Sequence, residues 1–209
     1  MLTLIKREIR DHSIFFIGSV ILSVVLIGLS IATLDGHRWI EDEETLGTGA
    51  IALTIIVFGL FGMGAVQMDT DRIRKISAFI SILPVSRVRI LLAKIIAGLL
   101  AILIAFVPLA VTVTILLRIH ATPISVFYVM VFEIFSGTFL ITLACYLIGL
   151  QAGWNSGRLT HAIVGLPLTC ILLTLILIKG FTPEIMVILS LFIVASLIRT
   201  WHLFTSTPL

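Results

Sequence analysis

Apolar residues fall in six long runs along the chain, and the polar stretches between them set the architecture. The runs cover about Ser13–Thr33, Thr48–Met68, Arg89–Leu117, Ser125–Trp154, His161–Ile178 and Glu184–Trp201. Each is near the roughly 20 residues an α-helix needs to cross the hydrocarbon core. The third and fourth are long enough to tilt or to project beyond the bilayer. Only Lys179-Gly180-Phe181-Thr182-Pro183 separates the last two, which predicts a tight helical hairpin. Ahead of the first run, residues 1–12 read MLTLIKREIRDH, with Leu2, Ile5 and Ile9 on one side and Lys6, Arg7 and Arg10 elsewhere. That pattern predicts an interfacial helix lying on the membrane.

One polar interruption is unlike the others. Residues 69–94 read DTDRIRKISAFISILPVSRVRILLAK, with apolar side chains at Ile73, Ile76, Ile80 and Leu83 and Phe79 at the edge of that face. This spacing is the stripe of an amphipathic helix. Asp69, Asp71, Arg72, Arg74 and Lys75 crowd its front end. Pro84 stops the helix because it lacks an amide proton and disfavours helix in the residue before it. Ser86 can cap the next helix. The pattern predicts a short helix, over about 69–88, set crosswise between the second and third spans.

Composition agrees with this layout. The 209 residues are 59% hydrophobic and 12% charged, and the mean hydropathy is +1.23. A soluble domain carries about 25% charged residues, so the chain reads as an integral membrane protein. The expected fold is all-α: one transmembrane domain over residues 1–209, with six transmembrane helices, an N-terminal interfacial helix and a cytoplasmic helix between spans two and three. The formal charge of +3 would suggest nucleic acid in a soluble protein. Here it reflects Lys and Arg held on the cytoplasmic side. With both termini cytoplasmic, eleven of the 14 Lys and Arg lie inside and only Arg38, Arg118 and Lys179 outside. The expected location is therefore the cell membrane, multi-pass. The first run is as long as a full span and no small-residue cleavage site follows it, so it predicts a span rather than a cleaved signal.

Residues able to carry chemistry are few. Glu133, in VMVFEIFSGTF, is the one acidic residue deep in a run. A carboxylate there must be protonated, paired or facing a cavity, so it could serve a translocation path or an interhelical hydrogen bond. Gly149 and Gly153 form a small-xxx-small pair, and Gly59, Gly62 and Gly64 stud the second run. Small residues let helices approach closely in lipid, within one protomer or across a dimer seam. Pro108 and Pro167 would kink or locally open their spans. Cys145 and Cys170 read as buried apolar residues rather than a disulfide. The five His show no metal-ligand spacing, and Trp39, Trp154 and Trp201 lie at span ends as interfacial anchors. The chain has no GxxxxGK[ST] phosphate loop, no HExxH and no GxSxG. Chemistry within this polypeptide is poorly supported.

The order Asp-Arg, apolar helix, LPVSR (Leu83 to Arg87) and a span-starting Lys94 resembles the permeases of ABC-2 type transporters. The basic interfacial helix, six spans and cytoplasmic ends extend that resemblance over nearly the whole chain. Two features depart from it. Lys75-Ile76 stands where many members carry Gly-Thr, and the long outer insertion that some members have between the last two spans is missing. The resemblance implies a homo- or heterodimeric exporter driven by a separate cytosolic ATP-binding cassette subunit. ATP and Mg would bind on that partner, with no cofactor and no catalytic residue in this chain. It implies a coupling helix that docks on the ATPase through Asp71, Arg72, Arg74, Lys75, Phe79 and Arg87. It also implies a substrate path between spans two and five, where Phe58, Phe61, Met63 and Thr169 stand, with Glu133 a further candidate. Membrane lipid is the other expected partner and nucleic acid is not one. An ion-coupled secondary transporter or channel using Glu133 is the alternative, and a membrane enzyme or assembly factor fits the absent motifs least.

Overall fold

The computed structural model describes residues 2–35, 43–73, 87–120, 125–154 and 160–206. Among these residues it contains seven α-helices and no strand. They are α1 (Leu2–Asp11), α2 (Ser13–Asp35), α3 (Glu43–Ile73), α4 (Arg87–His120), α5 (Ser125–Trp154), α6 (Thr160–Lys179) and α7 (Pro183–Ser206). Each of the six apolar runs is one helix, and α1 is the expected basic amphipathic helix.

Among the described residues, four helices are long and apolar enough to cross a membrane: α3 over Leu53–Thr70, α4 over Val88–Ile115, α5 over Val131–Gly153 and α7 over Pro183–His202. Taken together as a pair bent by 72°, Thr3–Asp11 and Ser13–Gly28 make a fifth. Gly165–Lys179 of α6 is a shorter apolar segment. Outward-facing side chains are apolar: Ile14 is 75% exposed, Phe132 72% and Ile178 74%. So broad an apolar surface is a liability in water and is satisfied by lipid. This is the build of a membrane-embedded protein.

A crosswise helix was expected to begin at Asp69, and it does not begin there. Asp69–Ile73 continue α3, so Asp71 and Arg72 belong to its last turn. No Gly or Pro interrupts the chain there, and the backbone keeps the helix already running. Arg74, Lys75 and Phe79 lie outside the described residues, and Arg87 opens α4. The α4 helix runs on through Pro108 and α6 through Pro167. The carbonyl of Pro108 accepts a 2.9 Å hydrogen bond from the Thr112 hydroxyl. Both cysteines are free, but only Cys145 is buried; Cys170 is exposed on α6.

Helix α3 packs most extensively against α5, α2 against α4, and α7 against α5. The first contact depends on glycine. A Cβ at Gly149 would meet the Phe61 carbonyl, one at Gly153 the Ala65 carbonyl, and one at Gly64 the Tyr146 carbonyl. Phe61 meets Gly149 and Met68 meets Gly153, so the two helices run parallel along this seam. The small residues therefore bring two helices of one protomer together. By contrast, nothing lies within 4 Å of a Cβ placed at Gly59 or Gly62.

Between α6 and α7 the chain reverses at Gly180, whose φ of 71° suits glycine. Its N–H donates to the Ile176 carbonyl at 2.8 Å, closing α6 with a left-handed cap. Pro183 then opens α7, and the Thr182 carbonyl accepts from the Met186 N–H at 3.1 Å.

Candidate functional site

Four helices bring one polar cluster together inside the bundle. Helix α1 contributes Glu8 and His12 (just past its last residue), α3 Gln67, α4 Lys94 and α5 Tyr146. Lys94 is 1% exposed and Glu8 6%, and Gln67 and Tyr146 are fully enclosed. The Lys94 Nζ lies 3.4 Å from each carboxylate oxygen of Glu8 and donates to the Gln67 backbone carbonyl at 3.1 Å. The Gln67 amide bridges two partners. Its Nε2 donates to Glu8 Oε2 at 3.2 Å, and its Oε1 accepts from the Tyr146 hydroxyl at 2.7 Å. That hydroxyl also lies 2.8 Å from the Lys94 carbonyl. An almost dry ion pair is thus held in a continuous hydrogen-bonded set.

Local sequence explains how each group arrives. On α1, Glu8 faces inward beside Ile9, while Lys6 and Arg10 stay exposed. The helix ends at Asp11, and the break before α2 lets the His12 imidazole fold back. Its Nδ1–H donates to the Glu8 carbonyl at 3.2 Å and lies 3.6 Å from the Glu8 carboxylate. The His12 Nε2 is buried with no hydrogen-bond partner among the described residues. Tyr146 reaches the backbone of α4 because Gly98 has no side chain; a Cβ there would strike the phenol ring. Gln67 lies one turn before Asp71, and Lys94 two turns after Arg87. The cluster therefore ties α1 to the ends of the two helices that flank residues 74–86.

A second polar contact joins α5 to α7. The Gln151 Nε2 donates to the Ser196 carbonyl at 3.0 Å and to the Thr200 hydroxyl oxygen at 3.2 Å. Thr200 in turn donates to the Ser196 carbonyl at 2.7 Å. Among the described residues, no group of three or more His, Cys, Asp or Glu could hold a metal ion.

The residues singled out from sequence are distributed differently. Phe61 is buried with Ile148 and Ala152, and Met63 is buried in the main core. Thr169 is buried and donates to the Gly165 carbonyl of its own helix at 2.9 Å, and Phe58 is half-buried against the cluster around Val57 and Ile141. Met63 also borders an apolar groove between α2 and α3. Glu133 is half-buried at the start of the apolar segment Val131–Gly153, with no hydrogen bond or ion pair among the described residues. It stands about 20 Å along α5 from Tyr146, at 1.5 Å per residue. Of the docking set, only the backbones of Asp71, Arg72 and Arg87 fall within described helices.

The buried cluster did not emerge from sequence reading, which took Lys94 as a span-starting charge. A signal was present. Gln67, Lys94 and Tyr146 are polar side chains inside apolar runs, and such groups in lipid require partners. Tyr146→Phe tests the set. It would leave the Gln67 Oε1 without its donor and is expected to cost about 1–3 kcal/mol. The measurement is SDS-titrated unfolding from bicelles, followed by circular dichroism. Unchanged stability would count against the hydrogen bond.

No protein-family profile, curated protein or solved structure matches this chain.

Proposed function

We propose that this chain is the membrane permease subunit of an ATP-binding cassette transporter of the ABC-2 type, an exporter driven by a separate cytosolic ATPase. In this reading α2 to α7 are six spans and both termini are cytoplasmic. The connection between α3 and α4 lies on the cytosolic side, and two permease protomers form the working unit. The sequence of residues 69–94 suggests the family. The observation that carries the mechanism is the buried link from α1 to α3 and α4 through Glu8, Gln67 and Lys94.

Coupling then follows from ordinary mechanics. ATP binding closes the partner subunit, which pushes the connection between α3 and α4 at Arg72, Arg74 and Phe79. The ends of α3 and α4 shift together because Lys94 is bonded to the Gln67 backbone. Glu8 carries the surface helix α1 with them, and the glycine seam carries α5. A local push thus becomes a rigid-body tilt of several helices, shifting the population between inward- and outward-facing states. An ion pair desolvated to this degree resists slippage, since separating the charges leaves each one buried and unpaired.

Affinity purification of the tagged chain from its native membrane tests the reading. The expected result is a co-purifying ATP-binding subunit, released when Arg72, Arg74 and Phe79 are together changed to Ala. Ion-driven flux by the purified chain alone in liposomes, abolished by Glu133→Gln, would instead establish an ion-coupled carrier.

A further inference from the structure

At the elbow between α1 and α2, a cationic recess and an apolar groove are lined by consecutive stretches of the chain. The recess, of about 570 Å³, is lined by Thr3, Lys6, Arg7, Ile9, Arg10 and Ser13. The groove, of about 360 Å³, runs between α2 and α3 and begins at the next residues along the chain, Ile14 and Phe15. Its walls include Gly18, Leu22, Ile55 and Gly59, and its floor includes Met63 and Ala105. Gly18 and Gly59 keep it open, with nothing within 4 Å of where a Cβ would lie at either.

The two surfaces differ in chemistry. Every residue lining the groove except Ser19 is apolar or glycine, and the Ser19 hydroxyl donates to the Phe15 carbonyl of its own helix at 2.9 Å. The recess carries three cations. Arg7 is shared with Asp11 at 3.5 Å. Lys6 and Arg10 are exposed and have no ion pair among the described residues. A ligand that fits both must join an anionic head to a hydrocarbon tail.

We propose that this elbow binds one anionic phospholipid, its phosphate against Lys6 and Arg10 and one acyl chain in the groove between α2 and α3. The 72° bend makes this possible. It turns α1 into the headgroup plane while α2 descends into the acyl region, so cations and groove face the two parts of one lipid. A zwitterionic lipid offers the same tail but a head whose own cation offsets the attraction. The selectivity therefore resides in α1 and the depth of binding in the glycine-lined groove. The site stands apart from the buried Glu8–Lys94 pair, which faces the other side of α1.

Native mass spectrometry of the purified full chain, titrated with phosphatidylglycerol or phosphatidylcholine of identical acyl chains, tests this. One phosphatidylglycerol per chain should be retained at least about fivefold more strongly than phosphatidylcholine. Lys6→Gln with Arg10→Gln should bring the two lipids level, and these exposed positions leave folding intact. Gly59→Leu, which fills the groove, should weaken retention of both lipids, with the helical circular dichroism spectrum confirming the fold. Equal retention of the two lipids by the unaltered chain would overturn the proposal. So would unchanged selectivity in the Lys6/Arg10 variant, or displacement of the lipid by inorganic phosphate alone.

Discussion

Lys94→Met is expected to lower the unfolding free energy by about 3–5 kcal/mol, because it leaves the Glu8 carboxylate buried without its counter-charge. Glu8 is 6% exposed and Lys94 1%, so neither charge can turn to water without moving α1. Methionine keeps the length and apolar volume of the lysine stem, which isolates the charge from the packing. The double variant Lys94→Met with Glu8→Gln removes both charges and keeps an amide where the Gln67 Nε2 now donates at 3.2 Å. Its loss should be smaller than that of Lys94→Met alone, giving a coupling energy above about 1 kcal/mol in the cycle. SDS-titrated unfolding of all four proteins in bicelles measures it. Additive losses would mean that the 3.4 Å approach contributes no coupling. A functional consequence separates the pair's proposed role from mere stability. If α1 moves with α3 and α4, the double variant should fold and bind the proposed ATPase partner yet stimulate hydrolysis poorly.

The helices were legible and the pair was not, for reasons that lie in what each depends on. A membrane helix is specified by the local run of apolar residues, because every backbone group is satisfied within the segment. Hence Ser125–Trp154 could be bounded from sequence alone, as could the turn at Gly180. The stretch from Asp69 differs from expectation at its start because charge alone does not end a helix. Asp69–Ile73 show that a helix runs on through charge where no Gly or Pro intervenes. The Glu8–Lys94 contact joins residues 86 positions apart, across a crossing angle no periodicity reveals. Its members looked ordinary: Glu8 was one charge among several in KREIRDH, and Lys94 was read as a flank. Glu133 drew attention because its neighbours are apolar. Sequence could not show that it stands at the margin of its apolar segment while Lys94 lies in the interior.

Lipid outside and polar contacts inside also explain which packing matters most. Apolar surface gains little from burial when the surroundings are themselves hydrocarbon, so helix association rests on close van der Waals fit and buried hydrogen bonds. In this chain the two sit together: Tyr146, which donates to Gln67, lies one turn from Gly149.

Gly149→Val should consequently be as damaging as any apolar substitution in the protein. The valine Cβ would enter the space of the Phe61 carbonyl, and neither that backbone oxygen nor the Ala65 amide beside it can rotate away. Relief requires α3 and α5 to separate, which stretches the 2.7 Å Tyr146–Gln67 hydrogen bond as well as opening the seam. Overpacking of this kind costs about 1–3 kcal/mol, and loss of the hydrogen bond adds about 1 kcal/mol. The matched control is Gly62→Val, where nothing lies within 4 Å of the new Cβ and the change should stay within about 0.5 kcal/mol. The two substitutions add the same atoms to the faces of α5 and α3, so unfolding in bicelles isolates the neighbour from the residue type. If Gly149→Val proved as mild as Gly62→Val, α3 and α5 would have to stand farther apart than the glycine seam allows.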